Sequence, residues 1–190
     1  EDIGMMKMLP GMTVINPCDF NQTKNATLAI AAQYGPVYLR FGRPKVANFT
    51  PLNQHFEIGK GLLLKPGSDV TIIATGHLVW EALKAAEVLS DININAEVIN
   101  IHTIKPLDRS MIIESVKNTK CVVTAEEHNV FGGLGESVAG LLTQELPSPQ
   151  EYVAVQDSFG ESGNPTELMN KYGLNSEAIV DKTKKVLLRK

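Results

Sequence analysis

The run Asp69-Val70-Thr71-Ile72-Ile73-Ala74-Thr75 decides the fold. It is rich in β-branched residues and almost continuously apolar, the pattern of a strand buried on both faces. Gly76 then turns the chain into a helical pattern from about His77 to Leu89, with Val79, Ala82, Leu83, Ala86 and Leu89 in one stripe. The alternation continues downstream. Ala96–Ile101 reads as a strand, Asp108 caps a helix running to Val116, and Lys120–Ala125 reads as another buried strand. Gly132-Gly133-Leu134-Gly135 opens a helix to about Glu145, and Tyr152–Val155 is a short strand. Asn164-Pro165-Thr166-Glu167 combines a capping Asn, Pro at the first helical position and an acid three residues after the cap. Asn175 caps a last helix with Ile179, Val180, Thr183 and Leu187 inward. Strands separated by helices favour parallel pairing with right-handed crossovers, so a three-layer α/β sandwich around a mostly parallel sheet is expected.

Working upstream, Ile58–Leu64 reads as a strand before the turn Lys65-Pro66-Gly67. Residues 46–56 form a polar connector without helical or strand period, which places a boundary between segments 1–52 and 53–190. Before it come a helix stopped by Pro10-Gly11, a strand over Met12–Asn16, a helix capped by Asp19 and running to about Tyr34, and a strand over Val37–Phe41. This is α/β alternation whose opening half is missing. Glu1-Asp2-Ile3 reads as a helix already under way, which suggests a piece of a longer protein. Residues 1–45 are therefore expected to be either disordered or packed against another copy.

The 190 residues carry 18 basic and 21 acidic side chains, net −3, which disfavours a dedicated nucleic-acid binder. Cys18 and Cys121 lie far apart among apolar residues and read as core thiols in a reducing compartment. No apolar run is long enough to span a membrane and no signal peptide is visible, so a cytoplasmic location is expected.

Several stretches hold residues capable of chemistry. Gly132-Gly133-Leu134-Gly135 follows a strand and precedes a helix, where backbone N–H groups can hold an anion. It matches neither the dinucleotide nor the P-loop pattern, and a tight turn with close helix packing is the plainer reading. Glu126-Glu127-His128 lies at a strand's carboxyl end, suited to acid–base work or to an interface. Thr75-Gly76-His77 reads as a turn into a helix. Arg40 and Arg43, in Tyr38-Leu39-Arg40-Phe41-Gly42-Arg43-Pro44, fit either a phosphate or a surface ion pair.

The chain as a whole resembles the C-terminal section of transketolase, a thiamine-diphosphate enzyme. The resemblance rests on Thr13-Val14-Ile15-x-Pro17-x-Asp19, Leu39-Arg40-Phe41-Gly42-Arg43-Pro44, Thr103-Ile104-Lys105-Pro106-Leu107-Asp108, Glu126-Glu127-His128-x-x-x-Gly132-Gly133-x-Gly135 and Phe159-Gly160-Glu161-Ser162-Gly163, in that order. It implies that residues 1–52 are the tail of a pyrimidine-binding domain and 53–190 a complete C-terminal domain. It also implies a parent enzyme that moves a two-carbon ketol unit between sugar phosphates with thiamine diphosphate and Mg²⁺. Within that family Arg43 corresponds to a substrate-phosphate ligand, with Arg40 as its neighbour. No catalytic, cofactor or metal residue carries over, because the activating carboxylate and the sugar-binding histidines lie upstream and no Gly-Asp pair is present. Glu126, His128, Gly132 and Gly133 would then serve an interface or effector site. The expected partners are the N-terminal portion and a second copy in a homodimer, and the chain alone is expected to be inactive and to bind no cofactor. The rival readings are a 1-deoxyxylulose-5-phosphate synthase, a 2-oxo acid dehydrogenase beta subunit, or a non-catalytic regulatory or assembly module.

Overall fold

A computed structural model describes residues 1–190. The first segment folds as α1 (Asp2–Met8), β1 (Thr13–Ile15), α2 (Phe20–Ala31) and β2 (Val37–Leu39). The remainder runs β3 (Leu62–Lys65), β4 (Val70–Ala74), α3 (Leu78–Asp91), β5 (Ala96–Asn100), β6 (Thr103–Lys105), α4 (Arg109–Thr119), β7 (Val122–Asn129), α5 (Leu134–Glu145), β8 (Gln150–Val155), α6 (Pro165–Lys171) and α7 (Ser176–Leu187).

The main sheet has five strands in the order β3-β5-β4-β7-β8. Only β3 runs antiparallel to its neighbour; β5, β4, β7 and β8 pair in parallel. The expected sandwich is present. Val70, Ile72 and Ala74 of β4 pack with Leu78, Ala82 and Leu89 of α3 and Ile179 and Val186 of α7. Ile73, pointing the other way, packs with Ile112 and Val116 of α4 and Val138 and Leu142 of α5. The period-two alternation of a strand thus feeds two separate cores, which is why β4 reads as unbroken apolar sequence.

Local chemistry sets the element boundaries. Asp19, Asp108, Asn164 and Asn175 each accept an N–H in the first turn of the helix they precede. Gly173, at φ +66, ends α6. Asp19 also orders the connector, because its Oδ2 accepts the N–H groups of Phe49 (2.9 Å) and Thr50 (2.7 Å). Ile58–Gly61 is not part of a strand, since β3 begins at Leu62. Gly61 instead donates its N–H to Asp108.

A second sheet, β2-β1-β6, joins the two segments. β1 pairs in parallel with β2 and antiparallel with β6. Ile3, Val14 and Ile104 form a small core beneath it. Residues 1–45 are therefore not disordered, because their apolar interior is completed by β6 and by the end of β7. Their outer surface leaves Met5, Met8, Phe20, Leu28 and Tyr34 exposed.

Candidate functional site

The carboxyl ends of the parallel strands in both sheets meet at one place. The Asn16 carbonyl, just past β1, accepts the N–H of Gly76 (3.2 Å) and the hydroxyl of Thr75 (3.2 Å), just past β4. Gly76 sits at φ +57 with its Cα face against the Asn16 amide, so a side chain there would be both strained and blocked. Strand ends of α/β sheets are where ligands bind. A cleft of about 970 Å³ opens beside this junction, between the loop after β2, the start of α3, the end of β7 and α6.

Arg40 leaves the end of β2 and crosses this junction. Its Nη2 donates to the Glu127 carbonyl at 3.1 Å. Its Nη1 lies 3.5 Å from Glu127 Oε2 and its Nε lies 3.4 Å from Asp2 Oδ2. His77 Nδ1 approaches the same Glu127 oxygen at 3.3 Å. That oxygen is buried and accepts no well-aligned hydrogen bond, so charge attraction is what holds it. Burial pushes the Glu127 carboxyl up, but His77 and Arg40 outweigh it and hold it below the usual carboxylate range. Burial likewise raises Asp2, yet Arg40 and a hydrogen bond from Tyr38 bring it down overall.

Arg43 is placed differently. It is exposed between Gly42 and Pro44, and none of the chain's carboxylates pairs with it. Gly42 lies against the His77 imidazole, and a methyl group there would overlap the ring. Of the two arginines, then, Arg40 is engaged by the protein and Arg43 is free to meet an external anion.

Glu126, His128, Gly132 and Gly133 come together where α1 docks on the C-terminal domain. Glu126 is fully buried, and its two oxygens accept the N–H groups of Leu134 (2.7 Å) and Gly135 (2.8 Å). The amino end of α5 thus holds an anion, but the anion is the protein's own. Burial pushes the Glu126 carboxyl up despite those bonds and the nearby Lys7 and Arg40 charges. Gly133 must be glycine because a Cβ would overlap that carboxylate. Gly132, at φ +78, brings its backbone against Gly4 of α1. His128 Nε2 accepts the Gly4 N–H at 3.3 Å, so Nδ1 carries the proton and donates to the Asn129 carbonyl at 2.8 Å. Lys7 donates to the Gly133 carbonyl (2.8 Å) and to Ser137 (2.6 Å). Both oxygens of Glu126 and both nitrogens of His128 are committed to backbone partners; the Glu126 bonds close α5 and the His128 bond to Gly4 ties α1 to β7.

The donor set does not suit a diphosphate–magnesium group. No three His, Cys, Asp or Glu side chains converge to hold a metal. The one helix start in the glycine-rich turn is already closed by Glu126. Sequence reasoning missed Glu127 as a partner of Arg40 and His77 as a partner of Glu127. Both stand at strand ends, but their shared contact spans the chain and no local spacing announces it.

Residues 59–179 match the family model described as Transketolase, C-terminal domain. The chain belongs to this family. It is 44% identical over its whole length to 6-deoxy-6-sulfo-D-fructose transketolase subunit SqwH of Clostridium sp. (strain MSTE9), spanning 59% of that protein. It is 36% identical to 1-deoxy-D-xylulose-5-phosphate synthase 1 of Geobacter sulfurreducens, spanning 30% of it. A solved structure described as a split gene transketolase, inactive beta4 tetramer, superposes with a TM-score of 0.96 at 44% identity, covering 99% of this chain and 62% of that one. The transketolase C-terminal domain here thus carries α1, β1, α2 and β2 in front of it, and the chain spans about three fifths of the length of the Clostridium relative.

Proposed function

We propose that the chain is the C-terminal part of a transketolase, acting with an N-terminal portion in transferring a two-carbon ketol unit between sugar phosphates. Thiamine diphosphate, held through Mg²⁺ on that other portion, would supply the carbanion chemistry. This chain supplies the substrate-anion site and an assembly surface. The observation that carries the reading is the unpaired guanidinium of Arg43, held on a short Gly–Pro loop at the strand-end junction. A guanidinium is permanently charged and matches a tetrahedral oxyanion bidentately. Arg40 is bound by Glu127 and Asp2, so its charge is offset within the protein and its part is to anchor the loop that carries Arg43.

On this reading residues 1–52 are the end of the pyrimidine-binding domain and 53–190 the C-terminal domain. The exposed Met5, Met8, Phe20, Leu28 and Tyr34 are the faces that meet the rest of the enzyme or a second copy in a cytoplasmic homodimer. The Clostridium relative's name, a sulfofructose transketolase subunit, supports a second possibility for the substrate, a terminal sulfonate in place of the phosphate. The test is turnover by this chain alone and after addition of the N-terminal portion, with phosphorylated and sulfonated sugars. Activity appearing only on mixing is expected. Turnover by the chain alone overturns the proposal.

A further inference from the structure

We propose that Glu127 and His77, both on the C-terminal domain, are positioning residues for Arg43 and set how tightly the complete enzyme holds the anionic end of its substrate. The inference rests on the reading of Arg43 given above, and it gives the C-terminal domain a part in substrate recognition.

The loop from Arg40 to Pro44 has two anchors on this side, and they meet at one carboxylate. At one end the Arg40 guanidinium is held by Glu127 through its carbonyl (3.1 Å) and its carboxylate (3.5 Å). In the middle Gly42 rests on the His77 ring, closely enough that no side chain fits between them. His77 is itself held 3.3 Å from Glu127 Oε2. Arg43 follows Gly42 directly, and Pro44 fixes the backbone beyond it. The β2 side of the loop is fixed by the Arg40 N–H bonded to the Ile15 carbonyl at 2.8 Å. Glu127 lies near the end of β7 and His77 follows β4, so two adjacent parallel strands of the C-terminal sheet set the floor on which the Arg43 loop lies. The carboxylate does two tasks. It offsets the Arg40 charge and so fixes the start of the loop, and it holds the His77 imidazole against Gly42. Neither residue is needed at the reacting carbon. Their loss loosens a bidentate contact to the far end of the substrate, and a misplacement of about 1 Å in such a clamp can cost about 10²-fold.

The test uses the complete enzyme in which this chain forms the C-terminal part. The Michaelis constants are measured for a phosphorylated aldose acceptor and for its unphosphorylated counterpart, with the variant R43Q setting the scale. E127Q is expected to raise KM for the phosphorylated acceptor about tenfold, with kcat within about twofold and the unphosphorylated acceptor unaffected. H77A is expected to act in the same direction and E127D to recover part of the loss. If R43Q leaves the preference for the phosphorylated acceptor intact, the reading of Arg43 fails. If R43Q abolishes that preference while E127Q and H77A keep it, the positioning role fails and the reading of Arg43 stands. Equal KM increases for both acceptors also overturn the positioning role. Should E127Q not assemble, H77A alone decides the outcome by the same two measurements.

Discussion

The Glu126 carboxylate lies 2.7 Å from the backbone nitrogen of Leu134 and closes the amino end of α5 from inside the protein. A carboxylate eight residues upstream takes the place a capping side chain normally fills, and it serves two N–H groups at once. Glu126→Ala would leave both donors buried without partners. We expect a loss of about 2–4 kcal/mol, read as a lower urea midpoint with an unchanged slope. Glu126→Gln keeps one acceptor and should lose less. An unchanged midpoint in the alanine variant would show that water or a shifted backbone replaces the carboxylate.

Gly133 tests the same contact from the other side. Its φ of −85° suits any residue, so the need for glycine is purely one of space. Gly133→Ala drives a methyl group into the Glu126 carboxylate and should cost about 1–3 kcal/mol. Because the two positions share one contact, the double variant with Glu126→Ala should cost less than the sum. Strict additivity would argue against the crowding.

His102 and His128 make the fold sensitive to mild acid. Burial brings His102 from 6.5 down to about 4, with Asp108 offsetting a little of it. Burial is also the main cause lowering His128, against the opposing effect of its bond to Asn129. Each folded value lies below the unfolded one, so the unfolded chain binds more protons in the interval between them. Stability is therefore full above about pH 6.5 and declines as pH falls toward 4, by about 3 kcal/mol from His102. Denaturation measured across this range should show the slope, and His102→Gln should flatten it. A slope that survives the substitution would assign it elsewhere.

Glu151 shows how little a crowded ion cluster need contribute. Its side chain is 8% exposed and meets Lys182 (3.2 Å), Lys185 (3.0 Å) and Arg189 (2.7 Å). Burial raises its carboxyl, but the three cations outweigh it and bring it below the usual carboxylate range. Its contribution is thus present above the ordinary carboxylate value and is lost on acidification. The cations are largely solvated, so Glu151→Gln should cost only about 1 kcal/mol, and less as salt is added. A loss several times larger would mean the cluster fixes α7 in a way the exposed lysines do not suggest.

Much of this architecture is legible in the residues. Strand β4 and the helix stripe of α3 announce themselves by period, and four helix starts by their capping side chains. Strand β6 does not. Three residues beside a proline carry too little period to be read, and its partner β1 lies about ninety positions away. For the same reason Lys7, Asp2 and His77 gave no local sign of their roles. Their partners, Gly133, Arg40 and Glu127, are neighbours only after folding. The glycine-rich turn was ambiguous because an anion cradle and a tight turn use the same residues. The carboxylate that settles it lies on the preceding strand.

The pairing of β6 with β1 bears on how the protein can be divided. A cut at residue 52 follows the composition of the chain, yet it separates two strands that lie side by side. Either product would carry a bare backbone edge, with Ile104 stripped of Ile3 and Val14. Anyone preparing the second half in isolation should expect a sticky protein unless that edge is blunted, for example by a charged residue at position 104.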